Sequence, residues 1–197
     1  QDDLYLISKQ VLDLAKSNGA SASEVEISVS KGKTISTRMG NLDTVELNNG
    51  KSLTVTVFYG YRQGISTTSD FSKNALDACV RAACQIAKYT AEDKAFGLAE
   101  PSLYCRDIKD LKIHNSYFDS QDLMIKKVLE CENHALDFDT RITNSEGAQL
   151  NTSENLFVYL NSAGFVGGYP SSRSSLSCSV VAKNKFGMQR DYSFSTE

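Results

Sequence analysis

The residues able to bind a metal ion are sparse in this sequence. It has two histidines, His114 and His134, and five cysteines, at positions 79, 84, 105, 131 and 178. Cys131 and His134 are three residues apart in a helical pattern beside Glu130, and Cys105 is the only further cysteine close to them along the chain. A zinc site needs three or four converging ligands, and neither H-E-x-x-H nor C-x-x-C occurs here. We interpret the group as a core cysteine beside a surface histidine, and assign no metal ligand to this chain.

Two tripeptides, at positions 32–34 and 50–52, have the Gly-Lys-Ser/Thr sequence that ends a phosphate-binding loop. Such a loop needs an earlier glycine five residues before, so that successive backbone N–H groups surround the phosphates. Ile27 and Val45 occupy those positions, and each lysine precedes a predicted strand instead of a helix. Both tripeptides are therefore predicted to be hairpin turns. No G-x-S-x-G sequence occurs either, so nucleophilic catalysis by a serine is not indicated.

Polar residues in the second half of the chain are the remaining candidates for a site. Residues 171–175 (SSRSS) place Arg173 among hydroxyl groups, a combination suited to a peptide carboxylate or to main-chain carbonyls. Arg141, Asn144 and Glu146 are predicted to alternate along one strand face as the wall of a polar cleft. A solvated strand face is the alternative interpretation of both groups. The candidate substrate-binding residues are therefore Arg141, Asn144, Glu146 and Arg173.

Hydrophobic periodicity predicts the elements that position these residues. Residues 2–17 have helical spacing, and the period changes to two between residues 25 and 69, with turns predicted at 31–33 and at 48–51. A second helix is predicted to end at Tyr89. Its apolar face comprises Leu76, Cys79, Val80, Ala83, Ile86 and Ala87. This first half therefore indicates a helix, an antiparallel meander and a second helix.

The second half repeats this composition. Residues 119–122 (DSQD) are predicted to cap a helix with Met124, Val128, Cys131 and Ala135 on one side, and strands follow from residue 141, with Gly147 among the predicted turns. The predicted domains are 1–89, a linker or boundary at 90–118, and a central domain at 119–197 that is cut from something longer. The fold class is α+β: two helix-plus-antiparallel-sheet units, with the helices packed on the sheets.

Composition excludes several classes of partner. Twenty-one Lys and Arg against 24 Asp and Glu give a formal net charge of −3, which argues against a nucleic-acid partner. The longest apolar runs are far shorter than the ~20 residues of a membrane span, and no signal-peptide pattern opens the chain. Scattered cysteines in odd number predict free thiols in a cytoplasmic protein.

Several segments resemble the TldD/PmbA family, in order and across nearly the whole chain. In the first half these are residues 36–43 (STRMGNLD), 64–70 (GISTTSD) and 86–90 (IAKYT). In the second half they are residues 141–148 (RITNSEGA), 171–177 (SSRSSLS) and 188–192 (MQRDY), which look most like the PmbA-type (also called TldE) members.

The resemblance implies a cytoplasmic heterodimer with zinc-dependent protease activity on unfolded or extended peptides, in a family also named modulator of DNA gyrase. TldD-type subunits carry an H-E-x-x-x-H zinc motif that PmbA-type subunits lack. Neither His114 nor His134 lies in such a motif. The resemblance therefore implies no catalytic residue and no cofactor in this chain, zinc in a TldD-like partner subunit, and a role in the dimer interface and the substrate cleft.

Two alternatives remain open at this point. In the first, the chain is the N-terminal region of a TldD-like catalytic subunit whose zinc motif lies beyond residue 197. In the second, it is a stand-alone peptide-binding module.

Overall fold

The computed structural model describes residues 2–115 and 120–197. Within them the protein has three α-helices and a six-stranded antiparallel sheet, so the predicted α+β class is confirmed. The helices are α1 (Asp2–Ser17), α2 (Lys73–Tyr89) and α3 (Gln121–Leu136). The strands are β1 (Ala22–Arg38), β2 (Asn41–Tyr59), β3 (Arg62–Thr68), β4 (Ile142–Asn161), β5 (Val166–Asn184) and β6 (Gly187–Thr196).

The order of strands across the sheet is β3-β2-β1-β4-β5-β6, so β3 and β6 are its edges. Val55 pairs with Ser66 where β2 and β3 run antiparallel, and Ser179 pairs with Tyr192 in the hairpin of β5 and β6. Every residue of β6 is exposed. The sheet therefore has one fully solvated edge strand, with a row of unpaired backbone groups.

Two-residue turns connect the strands of the first hairpins. Met39 and Gly40 both have positive φ, 51° and 73°, which is the type I′ geometry that matches the twist of antiparallel strands. Gly60 has a φ of 60° at the first position of the next turn, as type II′ requires.

The turns predicted at residues 31–33, at 48–51 and at Gly147 are wrong. Residues 31–33 lie inside β1, residues 48–51 inside β2, and Gly147 inside β4. Close packing explains the glycine at position 32, because a Cβ there would lie 2.9 Å from the carbonyl oxygen of Thr152. Gly147 has a φ of 118° and a Cβ would lie 2.4 Å from Thr37 O, which is typical of a bulge.

The chain divides into two compact units. Unit 1 comprises Gln1–Val29, Gly50–Lys112 and Asn155–Pro170; unit 2 comprises Ser30–Asn49, Ile113–Glu154 and Ser171–Glu197. The predicted boundaries at 90, 118 and 119 remain predictions, and residues 116–119 lie outside the described residues. No helix in the described part of the chain is long and apolar enough to cross a membrane.

In unit 1, α1 and α2 bury their apolar faces against the strands. The core includes Val11 and Ala15 of α1, Val25 and Ile27 of β1, and Val55 of β2, all fully buried. The face of α2 differs from the prediction at two positions. Ile86 is 48% exposed, whereas Cys84, which lies outside the predicted face, is buried with Cys79 in the same core.

In unit 2, α3 packs on the sheet through a smaller core. Met124 and Val128 of α3 are buried against Ile35 of β1 and Ala148 and Leu150 of β4. The predicted helix face is confirmed at these two positions. Cys131 of α3 and Cys178 of β5 are half-buried beside this core, and the structure describes them as free thiols.

Candidate functional site

The four predicted substrate-binding residues all lie in unit 2, but the structure does not bring them together. Arg141, Glu146 and Arg173 line three different clefts, and Asn144 lies exposed on β4 without lining any of the three. The structure therefore does not place Arg141, Asn144 and Glu146 together in the wall of one cleft.

The side chain of Arg141 is engaged within its own loop. Its Nε and Nη2 atoms donate to the two carboxylate oxygens of Asp139 at 2.8 and 2.7 Å, and its backbone N donates to the same carboxylate at 2.8 Å. These bonds hold the pKa of Asp139 well below its usual range. This bidentate pair occupies one edge of the guanidinium, so Asp139 already compensates part of the Arg141 charge.

Glu146 is engaged in a similar way on the sheet surface. Its carboxylate is ion-paired with Arg190 of β6 and accepts a hydrogen bond from Ser179 of β5 at 3.0 Å. The hydrogen bonds from Arg190 and Ser179 lower the pKa of Glu146. The cleft it lines has a volume of about 350 Å³, with Ser36, Thr37 and Asp43 also in its wall. Glu146 therefore joins three strands instead of contributing an unpaired carboxylate.

Arg173 is different, because the described residues offer its guanidinium no hydrogen bond or ion pair. It lies exposed in β5 on a cleft of about 490 Å³. The cleft wall draws on the 113–115 segment, α3, β4, β5 and β6. It combines the apolar side chains of Met124, Leu150 and Leu176 with polar ones, among them Asn115, Lys127, Thr152, Ser153, Glu154, Ser172, Ser174 and Ser195. An unpaired arginine among hydroxyl groups is an arrangement that accepts carboxylates and carbonyl oxygens.

The same cleft also contains a carboxylate, that of Glu154. Glu154 has a buried Oε1 atom that has no hydrogen-bond partner within the described chain, and this atom lies 3.7 Å from Nε2 of His114. Backbone hydrogen bonds tie the segment to β5: Ser172 N donates to Ile113 O at 3.0 Å, and Asn115 N donates to Ser172 Oγ at 2.8 Å. The cleft therefore has hydrogen-bond donors and a carboxylate on fixed backbone. Sequence reasoning selected Arg173 but missed Glu154, which stands 19 residues away on β4 with no motif around it.

A second feature that the sequence did not indicate is the buried carboxylate of Glu132. This α3 side chain is fully buried and accepts hydrogen bonds from the backbone N–H groups of Met39 at 2.8 Å and Gly40 at 3.0 Å. Burial alone would raise its pKa, but hydrogen bonds, among them those from the backbone N–H groups of Met39 and Gly40, outweigh burial and lower it. An ionised Glu132 thus fixes the β1–β2 turn to α3.

Cys131 and His134 lie three residues apart on α3, where the sequence predicts a core cysteine beside a surface histidine. Among residues 2–115 and 120–197, no three histidine, cysteine, aspartate or glutamate side chains are placed to hold one ion. Burial raises the pKa of Cys131, and raises that of Cys178 to about 11. Thiols that resist ionisation are poor zinc ligands, since zinc binds the thiolate. These two described thiols are therefore not suited to zinc.

The fold is that of an α+β chain, and each half of the chain matches a domain of one metallopeptidase family. Residues 23–87 match the family model described as PmbA/TldA metallopeptidase domain 1, and residues 118–196 match the one described as PmbA/TldA metallopeptidase central domain. The chain belongs to the PmbA/TldA metallopeptidase family, the family that its sequence motifs resemble.

Relatives of known name support this assignment. The chain is 38% identical over 183 residues to the metalloprotease PmbA homolog of Haemophilus influenzae, and 38% identical over 185 residues to the metalloprotease PmbA of Escherichia coli O157:H7. Each match covers 93% of this chain and 40% of the relative. The chain therefore spans about two fifths of the length of these curated relatives.

Solved structures show the same fold. A Bacteroides thetaiotaomicron protein described as a candidate modulator of DNA gyrase matches with a TM-score of 0.89 and 25% identity, over all of this chain and 45% of that one. TldE from Thermococcus kodakarensis matches with a TM-score of 0.80 over 96% of this chain and 42% of that one. At 14% identity, the second match concerns the fold alone.

Proposed function

We propose that this chain is the N-terminal part of a PmbA/TldE-like protein, the non-catalytic subunit of a two-subunit, TldD/TldE-type zinc metallopeptidase in the cytoplasm. In this proposal the zinc and the hydrolytic residues belong to a TldD-like partner. The present residues contribute to the subunit interface and to a cleft that holds an unfolded or extended peptide. The observation that carries the proposal is the 38% identity to PmbA proteins along 93% of the chain.

The polar cleft around Arg173 supports the peptide-binding part of the proposal. An extended peptide presents carbonyl oxygens and N–H groups along its length, and a carboxylate at its end or on acidic side chains. The Arg173 guanidinium and the Ser172 and Ser174 hydroxyls suit the oxygens, and the Glu154 carboxylate suits the N–H groups. Such contacts recognise a backbone with little preference for sequence, as a protease acting on unfolded chains requires.

These 197 residues contain no H-E-x-x-x-H motif. Under this proposal, the isolated chain hydrolyses no unfolded peptide with or without added zinc. Metal-dependent peptidase activity of these residues alone would contradict it. The decisive experiment is co-purification with a TldD-type subunit, followed by measurement of zinc content and peptide hydrolysis for each subunit and for the complex.

The cleft is tested separately by substitution. Arg173→Ala should raise the KM of the complex for an unfolded peptide by roughly tenfold, as expected for loss of one charge-assisted hydrogen bond, and leave kcat nearly unchanged. Arg173→Lys keeps the charge and should recover part of the loss. Arg106→Ala, which removes an exposed arginine in unit 1, is the matched control. An unchanged KM for Arg173→Ala would remove this cleft from the proposal.

A further inference from the structure

Two cysteine side chains of unit 2 meet where α3 packs on the sheet. Cys131 lies on α3 and Cys178 lies on β5, and both pack against the core that contains Met124 and Val128. Both are free thiols, and they are hydrogen-bonded to each other. The two residues are far apart along the chain, so their contact depends on the packing of the helix against the strand.

Both thiols line one cleft between α3 and strands β5 and β6, with a volume of about 800 Å³. Leu176 and Val180, which flank Cys178 on the same face of β5, line it as well. The charged or titratable side chains along the cleft carry both signs: Lys127, Glu130, His134, Arg190 and Asp191. Since Cys131 and Cys178 are only half-buried, a small uncharged reagent such as hydrogen peroxide can reach their sulfur atoms through this cleft.

The hydrogen bond between the thiols makes them chemically different. Burial raises the pKa of both, and the carboxylate of Glu132 raises both further, but the hydrogen bond from Cys178 acts to lower the pKa of Cys131. The same bond contributes to raising the pKa of Cys178 to about 11. Cys131 therefore ionises more readily than Cys178. Because the thiolate is the nucleophile, Cys131 is the thiol that attacks an oxidant first.

We propose that Cys131 and Cys178 form a reversible disulfide on reaction with a hydroperoxide, and that this bond holds α3 on β5. The Cys131 thiolate attacks a peroxide oxygen and the O–O bond breaks. This leaves a sulfenic acid at Cys131, and the departing hydroxide takes up the proton that the thiol released, as water. The Cys178 sulfur then attacks the sulfenic sulfur, the S–S bond forms, and a second water leaves. Two thiols thereby lose two electrons and hydrogen peroxide is reduced to two waters. A dithiol reductant restores both thiols by exchange.

The disulfide would act in the unit with the smaller core. Five buried hydrophobic residues hold α3 on the strands, so a covalent link to β5 adds a constraint against local opening of this helix. Met124 and Lys127 of α3 also line the cleft of Arg173, so the oxidised state holds one wall of that cleft in place. This inference goes beyond the proposed function, and its test needs no partner subunit.

The test is oxidation of the unaltered protein with hydrogen peroxide, followed by alkylation of the remaining thiols and peptide mass spectrometry without reductant. Among the five cysteines of these 197 residues, the Cys131–Cys178 pair should be the main disulfide, and dithiothreitol should remove it. The oxidised protein should melt about 5 °C or more above the reduced one, and the amides of α3 should exchange more slowly. A main product that joins Cys105 of two molecules would overturn the proposal, as would unchanged exchange of α3 in the oxidised protein.

Two variants test the order of the steps. Cys178→Ser keeps a hydroxyl donor beside Cys131 and should leave a sulfenic acid there, which dimedone captures. Cys131→Ser should react with peroxide at Cys178 at least about threefold more slowly. Cys105→Ser, which removes an exposed thiol of unit 1, is the matched control and should form the disulfide as the unaltered protein does. Capture by dimedone at Cys178 but not at Cys131 would overturn the assignment of Cys131 as the attacking thiol.

Discussion

The two units use the same elements for different ends. In unit 1, two helices cover the strands and 15 buried hydrophobic residues form one core. In unit 2, a single helix covers the strands and the corresponding core has five buried hydrophobic residues. Each unit packs helices on strands, and the described helices cover more of the strands in unit 1 than in unit 2.

The unit with the smaller core contains the clefts described above. Those around Arg141, Glu146 and Arg173 belong to unit 2, as do the buried Glu132 and the exposed side chains of Phe138 and Phe186. Polar and aromatic groups that a closed core would have excluded remain available there. The comparison indicates that the larger core lies in unit 1, while the clefts proposed for recognition lie in unit 2. Substitutions in each unit test whether stability and recognition are separated in this way.

The largest effect is expected in the core of unit 1, at Gly64 of β3. A Cβ at this position would lie 2.0 Å from Ala83 O and 2.5 Å from Ala87 N, both backbone atoms of α2. Because backbone cannot yield as a flexible side chain does, Gly64→Ala should lower the free energy of unfolding by about 4 kcal/mol or more. Urea denaturation followed by circular dichroism measures this loss.

Gly60→Asn is the control for that experiment. Gly60 has a φ of 60° with no atom within 4 Å of a built Cβ, and asparagine tolerates this conformation. A near-normal stability for Gly64→Ala would mean that α2 packs on β3 less closely than described, and that unit 1 is not the more tightly closed unit.

The next effect concerns the buried charge of unit 2. Glu132→Gln keeps the shape of the side chain but places an amide group against the N–H groups of Met39 and Gly40, so one donor loses its acceptor. The free energy of unfolding should fall by about 2–3 kcal/mol at pH 7. Glu130→Gln, on the exposed face of the same helix, should change it by less than about 0.5 kcal/mol.

The same pair of variants carries a pH dependence. The folded pKa of Glu132 is below its ordinary value of 4.5, so the folded state binds fewer protons than the unfolded state in that range. The stabilisation by ionised Glu132 is complete above the ordinary value and is lost as the pH falls through the depressed folded value. The difference in stability between the protein and Glu132→Gln should therefore shrink in acid. A difference that stays constant from pH 7 to pH 3 would show that the carboxylate charge contributes nothing.

Local sequence patterns predicted the helices and the presence of strands, but not the turns at which the strands end. The apolar spacing of α2 predicted five of its six buried positions, since this signal depends only on neighbours along one helix. Residues 48–51 have strong hairpin chemistry, yet neither Asn49 nor Gly50 is among the described residues with positive φ. There the pairing of β2 with its neighbours overrides the local preference, because a long strand satisfies more backbone hydrogen bonds than an early turn would.

The candidate site was less predictable for a related reason. The sequence indicates Arg173 because its hydroxyl neighbours are adjacent along the chain. It does not indicate the ion pairs of Arg141 with Asp139 and of Glu146 with Arg190. Glu132 bonds Met39 across 93 residues, and no periodicity in α3 distinguishes it from an exposed glutamate. Pairings of this kind depend on strand order, which follows from the whole sheet and not from any one segment.

A smaller effect should distinguish the thiol of Cys178 in unit 2 from that of Cys105 in unit 1. Burial raises the pKa of Cys178 to about 11 from an ordinary value of 9.0, so at neutral pH its thiolate is about 100-fold scarcer than that of an ordinary cysteine. Iodoacetamide at pH 7.5 should therefore label the exposed Cys105 long before Cys178, as peptide mass spectrometry can follow. The rate at Cys178 should rise about tenfold per pH unit up to about pH 11. Equal labelling of both residues at pH 7.5 would mean that α3 does not cover β5 there.

The smallest effect compares the helix caps of the two units. Ser72 Oγ accepts from Ala75 N at 3.4 Å at the start of α2, and Ser120 Oγ accepts from Leu123 N at 3.3 Å at the start of α3. Ser72→Ala and Ser120→Ala should each cost about 1 kcal/mol of global stability. Their local consequences should differ, because α2 packs into a core of 15 residues and α3 into a core of five.

Hydrogen exchange separates these local consequences. In Ser120→Ala, the amides in the first turns of α3 should exchange faster than global unfolding allows, because few buried contacts oppose local opening of this helix. In Ser72→Ala, the amides of α2 should lose protection only in proportion to the global change, since six of its residues are buried in the core. If both helices lost protection only in that proportion, the smaller core of unit 2 would be as cooperative as that of unit 1. The clefts of unit 2 would then be rigid parts of one folding unit. The two units would differ in their surfaces but not in their dynamics.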